Sequence, residues 1–168
     1  MRGGPMRWLI LLGFIPILIQ VLMAQSATDR FVGTWKLVSY EQRRANGEVT
    51  YPKGRQPVGV LAYTRGGQMS AQIMPEANAA WPADYYNKAT QEQLRAAMLD
   101  YVAYFGTFTV NEAEKTVVHH VQGSVNPGFL RTDQKRSYEF SGNRLILSLT
   151  RTVNGEDRSI RLTWERVE

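Results

Sequence analysis

The chain has 168 residues, a formal net charge of +5 and no cysteine. Its length suits a single domain with one hydrophobic core. The lack of cysteine excludes disulfides, thiolate metal sites, a cysteine nucleophile and haem attached through thioethers. The weak positive charge is not clustered, which argues against nucleic acid as a partner.

The first residues have the pattern of a secretory signal peptide over Met1–Ala24. Arg2 and Arg7 precede the apolar run Trp8–Met23, and the small residue Ala24 follows it. The run is slightly short for a membrane span, and a proline and a glutamine interrupt it. Loss of the two arginines on cleavage would lower the net charge from +5 to +3. We therefore expect an exported protein, periplasmic or secreted, with a domain over 28–168 and no membrane contact. A retained segment would instead anchor it.

Short alternating segments follow, separated by turn residues. Gly33–Arg43 is predicted as the first strand, and Asn46-Gly47 after it is a strong hairpin signal. Val58–Thr64 and Gln68–Met74 are predicted as the next two strands. Pro75–Ala89 contains two prolines and three aromatic residues, including Trp81, which is more typical of a loop or lid.

A single helix is predicted at about 90–101. Thr90 and Gln93 have capping-box spacing. The apolar residues recur at helical spacing and comprise Leu94, Ala97, Met98 and Tyr101. We expect this stripe to pack on the sheet; a gate over the sheet is the alternative.

Tyr101–Val125 is predicted to form a long hairpin with its turn at Asn111–Lys115. Alternate residues share a face of a strand. One wall of the hairpin is therefore apolar and comprises Val102, Tyr104, Gly106, Phe108, Val110, Val117, His119, Val121, Gly123 and Val125. His119 is the one histidine in that wall, whereas His120 has the opposite orientation.

Three further strands are predicted at Thr132–Phe140, Arg144–Thr150 and Ser159–Val167. About eight strands joined by short turns indicate an all-β protein, an antiparallel up-and-down eight-stranded barrel. The helix lies between the third and fourth long strands. A barrel of this size is just wide enough for one small ligand.

Several separated segments carry a resemblance to a known family. Gly33-Thr34-Trp35 resembles the Gly-x-Trp signature of lipocalins, and the chain is similar to the bacterial and fungal lipocalin-like domain family in GTWKLVSYE, PVGVLAYTRGGQMSAQ, YVAYFGTFTV, TVVHHVQGS and TDQKRSYEF. The resemblance covers Phe31 to Val167 and implies a calycin-type barrel, but no particular reaction. It also implies that Trp35 lies on the barrel floor under a basic residue of the last strand. Arg166 is the candidate for that structural contact.

The strand Thr132–Phe140 places polar side chains inside the predicted barrel. Gln134, Arg136 and Tyr138 share the inward face, because the opposite face is uniformly polar. A buried arginine needs a partner. Glu41 is the expected carboxylate, since it has the parity of the inward residues of the first strand.

These groups define a candidate ligand site. His119, with Arg136, Gln134, Glu41 and Tyr104 or Tyr138, would suit an amphipathic ligand that carries a carboxylate or a carbonyl group. The alternative is an internal polar network that only fixes the strand register. His119 could equally be a hydrogen-bonded core histidine.

The first functional hypothesis is an exported protein that binds a small hydrophobic or amphipathic molecule in its barrel. A cofactor-independent isomerase or cyclase is the alternative, with His119 or a tyrosine as the acid–base group and Arg136 stabilising negative charge. A third hypothesis is an envelope-anchored interaction module that uses Pro75–Ala89 as its contact surface. We expect no cofactor and no metal, because adjacent strand histidines point to opposite faces.

Overall fold

The computed structural model of the protein describes residues 26–76, 84–153 and 155–167. The expected signal segment, Met1–Ala24, lies outside these residues, as does the central part of Pro75–Ala89 with Trp81.

The described chain is mostly β-sheet. Its strands are β1 (Gly33–Arg44), β2 (Val49–Thr50), β3 (Val58–Tyr63), β4 (Gln68–Met74), β5 (Val102–Asn111), β6 (Thr116–Ser124), β7 (Asp133–Ser141), β8 (Arg144–Val153) and β9 (Glu156–Arg166). Its helices are α1 (Ala27–Phe31), α2 (Tyr85–Lys88) and α3 (Gln91–Asp100), with one 3₁₀ turn at Pro127–Phe129.

The strands form a closed antiparallel barrel. The order of pairing is β1-β3-β4-β5-β6-β7-β8-β9, and β9 pairs with β1 from Trp35–Arg166 to Arg44–Arg158. The two-residue strand β2 only extends the sheet beside the end of β1. The predicted eight-stranded up-and-down barrel is therefore confirmed, with the helix after its third long strand.

One end of the barrel is closed by the short helix α1. Phe31, at the end of α1, is fully buried, and its carbonyl oxygen accepts a 2.8 Å hydrogen bond from Trp35 Nε1. Arg166 Cζ lies 4.1 Å from the centroid of the Trp35 ring, which is the contact that the resemblance implied. Arg166 also donates to the carbonyl oxygen of Val32 at 2.7 Å. Gly33 has φ +135°, and a Cβ there would lie 2.5 Å from Arg166 Nη1.

A bulge at Val38 changes which side of β1 faces inward. Leu37 pairs with Trp164, but Ser39 pairs with the preceding residue of β9, so Val38 has no partner. Beyond the bulge Tyr40 lines the interior, whereas Glu41 lies on the outer surface opposite Arg161. The prediction that Glu41 faces the interior is therefore wrong, because strand alternation does not continue through a bulge.

A second bulge lies at Gln122 in β6. Beyond it Gly123 pairs with Phe105 and Ser124 pairs with Tyr104. Gly123 consequently lies under the ring of the exposed Phe105, where a Cβ would be 2.4 Å from Phe105 Cε1. Its predicted place in the apolar wall is wrong, and Ser124 lines the interior instead.

Helix α3 lies across the open end of the barrel. The predicted capping box is present, with Thr90 Oγ1 accepting from the Gln93 amide. However, the expected packing of the apolar stripe on the sheet is wrong: none of the helix's residues is buried, and Leu94 and Met98 are 44% and 58% exposed. No helix in the described part of the chain is long and apolar enough to cross a membrane.

Candidate functional site

The barrel encloses a cavity of about 270 Å³ between its polar centre and α3. The apolar wall of the cavity comprises Leu61, Ala71, Ile73, Val102, Leu147, Leu149, Ile160, Leu162 and Trp164. Met98 and Leu99 of α3 and Phe129 of the 3₁₀ turn line the mouth. Polar groups enter the lining from Tyr40, Tyr104, His119, Ser124, Asn126, Arg136 and Arg151.

His119 lies at the inner end of this cavity, on the face that strand alternation predicted. It is fully buried, with Nε2 2.7 Å from the Tyr63 hydroxyl and Nδ1 2.9 Å from the Tyr104 hydroxyl. Burial, together with the charge of Arg136 and the neighbouring His120, lowers the pKa of His119 well below its usual value. The imidazole is therefore neutral at pH 7, with one donor and one acceptor nitrogen.

The surroundings of Tyr63 decide which nitrogen carries the proton. Burial raises the pKa of Tyr63 well above its usual value, so its hydroxyl keeps its proton. Within the described structure that hydroxyl contacts no hydrogen-bonding group besides His119. It must donate to Nε2, because otherwise its proton would be buried without an acceptor. Nδ1–H then donates to the Tyr104 oxygen, and the Tyr104 hydroxyl proton is left for the cavity.

Arg136 completes the polar centre from β7. It is 7% exposed, and its Nη2 donates to the Tyr104 oxygen at 3.4 Å. Its remaining contact is a long 3.5 Å hydrogen bond from Nη1 to the carbonyl oxygen of Lys135. Among the described residues no carboxylate forms an ion pair with Arg136, and none lines the cavity. The site therefore offers hydrogen-bond donors and a positive charge.

Comparison with known proteins gives the family. A lipocalin-like domain is matched over residues 32–167. The chain belongs to the lipocalin-like domain family. This lipocalin-like protein is also similar to the 4'-hydroxy-3'-methoxypropiophenone carrier protein of Aspergillus oryzae, with 32% identity over 107 residues, 59% of this chain and 96% of that protein. No solved structure matches it at a significant level.

The lipocalin-like barrel brings together only some of the predicted site residues. His119, Arg136 and Tyr104 converge on the cavity, whereas Gln134 does not line it and donates to Thr132 Oγ1 at 2.8 Å. Tyr138 is buried nearer the closed end.

Tyr138 belongs to the aromatic cluster of the barrel floor. Its ring centroid is 5.0 Å from that of Phe31 and 5.6 Å from that of Phe140. Its buried hydroxyl has no hydrogen-bond partner among the described residues. Glu41 on the outer surface cannot neutralise Arg136, so their predicted pairing is wrong.

Five polar residues of this lipocalin-like site were not predicted: Tyr40, Tyr63, Ser124, Asn126 and Arg151. Tyr63 lies in a strand whose two faces are both apolar, so alternation carries no signal there. Tyr40 faces inward only because of the bulge at Val38. Arg151 did have a signal, since it continues the inward parity of Leu147 and Leu149.

No group of three or more histidine, aspartate or glutamate side chains converges among the residues described. His120 instead lies on the outer face, where its Nδ1 is 2.7 Å from Asp133 Oδ1.

Proposed function

We propose that this protein is an exported carrier that holds one small amphipathic molecule inside its barrel. The observation that carries the proposal is the cavity of about 270 Å³, apolar on its walls and polar at its inner end. A cavity of about 150 Å³ holds benzene. The larger volume here suits one aromatic ring with short substituents, or an alkyl chain of similar size.

The carrier from Aspergillus oryzae supports this proposal, because its name gives an aromatic ketone as its cargo. Such a molecule has an apolar ring and oxygen atoms that accept hydrogen bonds. The lipocalin-like cavity is complementary to such a molecule, because its wall is apolar and its inner end presents the hydrogen-bond donors of Arg136 and Tyr104.

We place the entrance under α3. Met98 and Leu99 separate the cavity from solvent, yet α3 buries no residue, so moving it aside disrupts few contacts. At its end Lys53 Nζ donates to the carbonyl oxygen of Asp100 at 2.6 Å and lies 3.5 Å from the Asp100 carboxylate. This buried lysine would hold the end of α3 in place while the rest of the helix moves away from the cavity.

The contacts of His119 favour binding over acid–base catalysis by this residue. Both of its ring nitrogens are already bonded to tyrosine hydroxyls, and its low pKa keeps it neutral. An isomerase or cyclase would need a group that exchanges a proton with the substrate directly. Tyr104 would have to take that role in the enzymatic alternative.

Titration with 4'-hydroxy-3'-methoxypropiophenone tests the carrier proposal. Trp164 lines the cavity, so binding should change tryptophan fluorescence, and native mass spectrometry should show one ligand per chain. Ala71→Phe fills the cavity and should abolish binding. The control, Ala62→Phe, enlarges a side chain on the other face of the β3–β4 hairpin and should bind normally. Equal binding by both folded variants would place the ligand elsewhere.

Export rests on residues 1–24 and needs its own test. We expect the protein recovered outside the cytoplasm to begin just after Ala24 when its N-terminus is sequenced. Recovery of the intact chain in the membrane fraction would favour the anchored interaction module.

A further inference from the structure

The cavity has an unbalanced charge. Arg136 and Arg151 both line it, and His119 is neutral. No aspartate or glutamate is among the lining residues that the structure describes. Arg151 is exposed at the mouth, whereas Arg136 is buried, and a buried positive charge is costly unless an anion pairs with it. Arg136 makes only two long hydrogen bonds, of 3.4 and 3.5 Å, and both are to neutral oxygens.

The ion pairs that the described carboxylates form do not involve Arg136. Of the residues outside the described ranges, only Glu168 is acidic. Several of the described carboxylates are engaged on the outer surface: Asp133 contacts His120, Glu156 contacts Arg158, and Glu114 contacts Lys135. The charge of Arg136 is therefore available to a ligand.

The hydroxyl of Tyr104 also favours a ligand that accepts hydrogen bonds. Its oxygen accepts hydrogen bonds from His119 Nδ1–H and from Arg136 Nη2, at 2.9 and 3.4 Å. Because both contacts donate to it, its own proton is directed to a third partner. An acceptor atom of a ligand would satisfy that proton. A ligand that presents an N–H group would instead place a donor against the donors of Tyr104 and Arg136.

We propose that the ligand is a monoanion, a single-ring or short-chain molecule whose carboxylate or phenolate oxygen accepts hydrogen bonds from Arg136 and the Tyr104 hydroxyl. This inference rests on the proposed carrier function and names its ligand class. The apolar wall holds the ring or chain, and Arg151 at the mouth adds a second positive charge. Charge-assisted hydrogen bonds of this kind are stronger than neutral ones.

Benzoate and benzamide provide a matched pair of probes, because they have nearly the same shape and only benzoate is charged. Isothermal titration at pH 7 should show benzoate binding at least about tenfold more tightly. Arg136→Met should remove this preference while changing benzamide affinity by less than about threefold. The control, Arg161→Gln, removes an arginine from the outer surface and should keep the preference.

A second arm uses 4-nitrophenol, whose phenolate is coloured. Below its solution pKa, mixing with the protein should raise the phenolate absorbance, because Arg136 stabilises the ionised form. Arg136→Met should abolish the change. A phenolate signal or a benzoate preference each supports the proposal.

Two results distinguish failure of the anion proposal from failure of the carrier proposal. Equal affinity for benzoate and benzamide, without a phenolate signal, would overturn the anion proposal and leave the carrier function in place. Failure of benzoate, benzamide and toluene alike to bind would defeat the carrier function itself.

Discussion

Removal of the Tyr63 hydroxyl is the smallest change that reaches the polar centre of the barrel. Tyr63→Phe deletes one oxygen, which donates to His119 Nε2 at 2.7 Å. Tyr63 and His119 are 2% and 0% exposed, so water cannot easily replace the lost partner. A buried acceptor left unsatisfied costs about 1–3 kcal/mol. We expect the variant to be about 2 kcal/mol less stable than the wild type.

Urea denaturation measures this loss. With a slope near 2 kcal/mol/M, the midpoint should fall by about 1 M while the slope stays constant. Tyr138→Phe is the matched control, because it removes a buried tyrosine hydroxyl that has no hydrogen-bond partner among the described residues. That control should be neutral or slightly stabilising, since it removes a desolvated polar group that gains nothing in return.

Tyr63→Phe also tests which ring nitrogen of His119 carries the proton. In the wild type, ¹⁵N NMR of His119 should show a protonated Nδ1 and an unprotonated Nε2, and Tyr63→Phe should allow the other tautomer. If Tyr63→Phe is as stable as the wild type, or Tyr138→Phe loses as much stability, the assignment of Tyr63 as the obligatory donor is mistaken.

Three further changes test other parts of the structure. Arg166→Gln loses the contact with Trp35 and the hydrogen bond to Val32; we expect about 2–3 kcal/mol less stability in thermal unfolding. Lys53→Met frees the end of α3, and a loss near 1 kcal/mol should speed ligand dissociation about fivefold in stopped-flow experiments and increase hydrogen exchange in α3 alone. Because the pKa of His119 is lowered in the folded protein, this histidine is protonated in the unfolded chain at a higher pH than in the folded one. The free energy of unfolding is therefore retained above about pH 6.5 and decreases below it by up to about 1.4 kcal/mol per pH unit. Urea curves at several pH values should show this slope in the wild type and a smaller slope in His119→Gln; parallel slopes would contradict it.

The barrel could be predicted from the sequence because its strands are joined by short turns with clear residue signals. Alternation also placed His119, Arg136 and Tyr104 correctly on the inner face, since no bulge intervenes before them in their strands. It failed for Glu41 and Gly123, each of which follows a bulge. A bulge depends on the pairing with a neighbouring strand, and alternation within one strand carries no trace of it.

Helix α3 shows a different limit. Its capping box and apolar spacing predicted a helix correctly, because both are local properties. Whether the apolar stripe is buried depends on what lies beneath it. Here the helix spans the mouth of the cavity, so Met98 faces the cavity and not a packed core, and it remains 58% exposed.

The bulge at Val38 links the fold to the chemistry of the cavity. With regular alternation Glu41 would face inward and could neutralise Arg136. The barrel interior would then contain an ion pair, and Arg136 would need no ligand as a partner. The bulge instead places Glu41 outside, opposite Arg161, and turns Tyr40 into the cavity lining. Tyr40 keeps its proton, since burial raises its pKa despite the opposing charges of Arg151 and Arg136. One unpaired residue in β1 thus leaves the cavity with the buried Arg136, the exposed Arg151 at its mouth and no acidic residue among its described lining, which is the condition under which a bound anion gains the most.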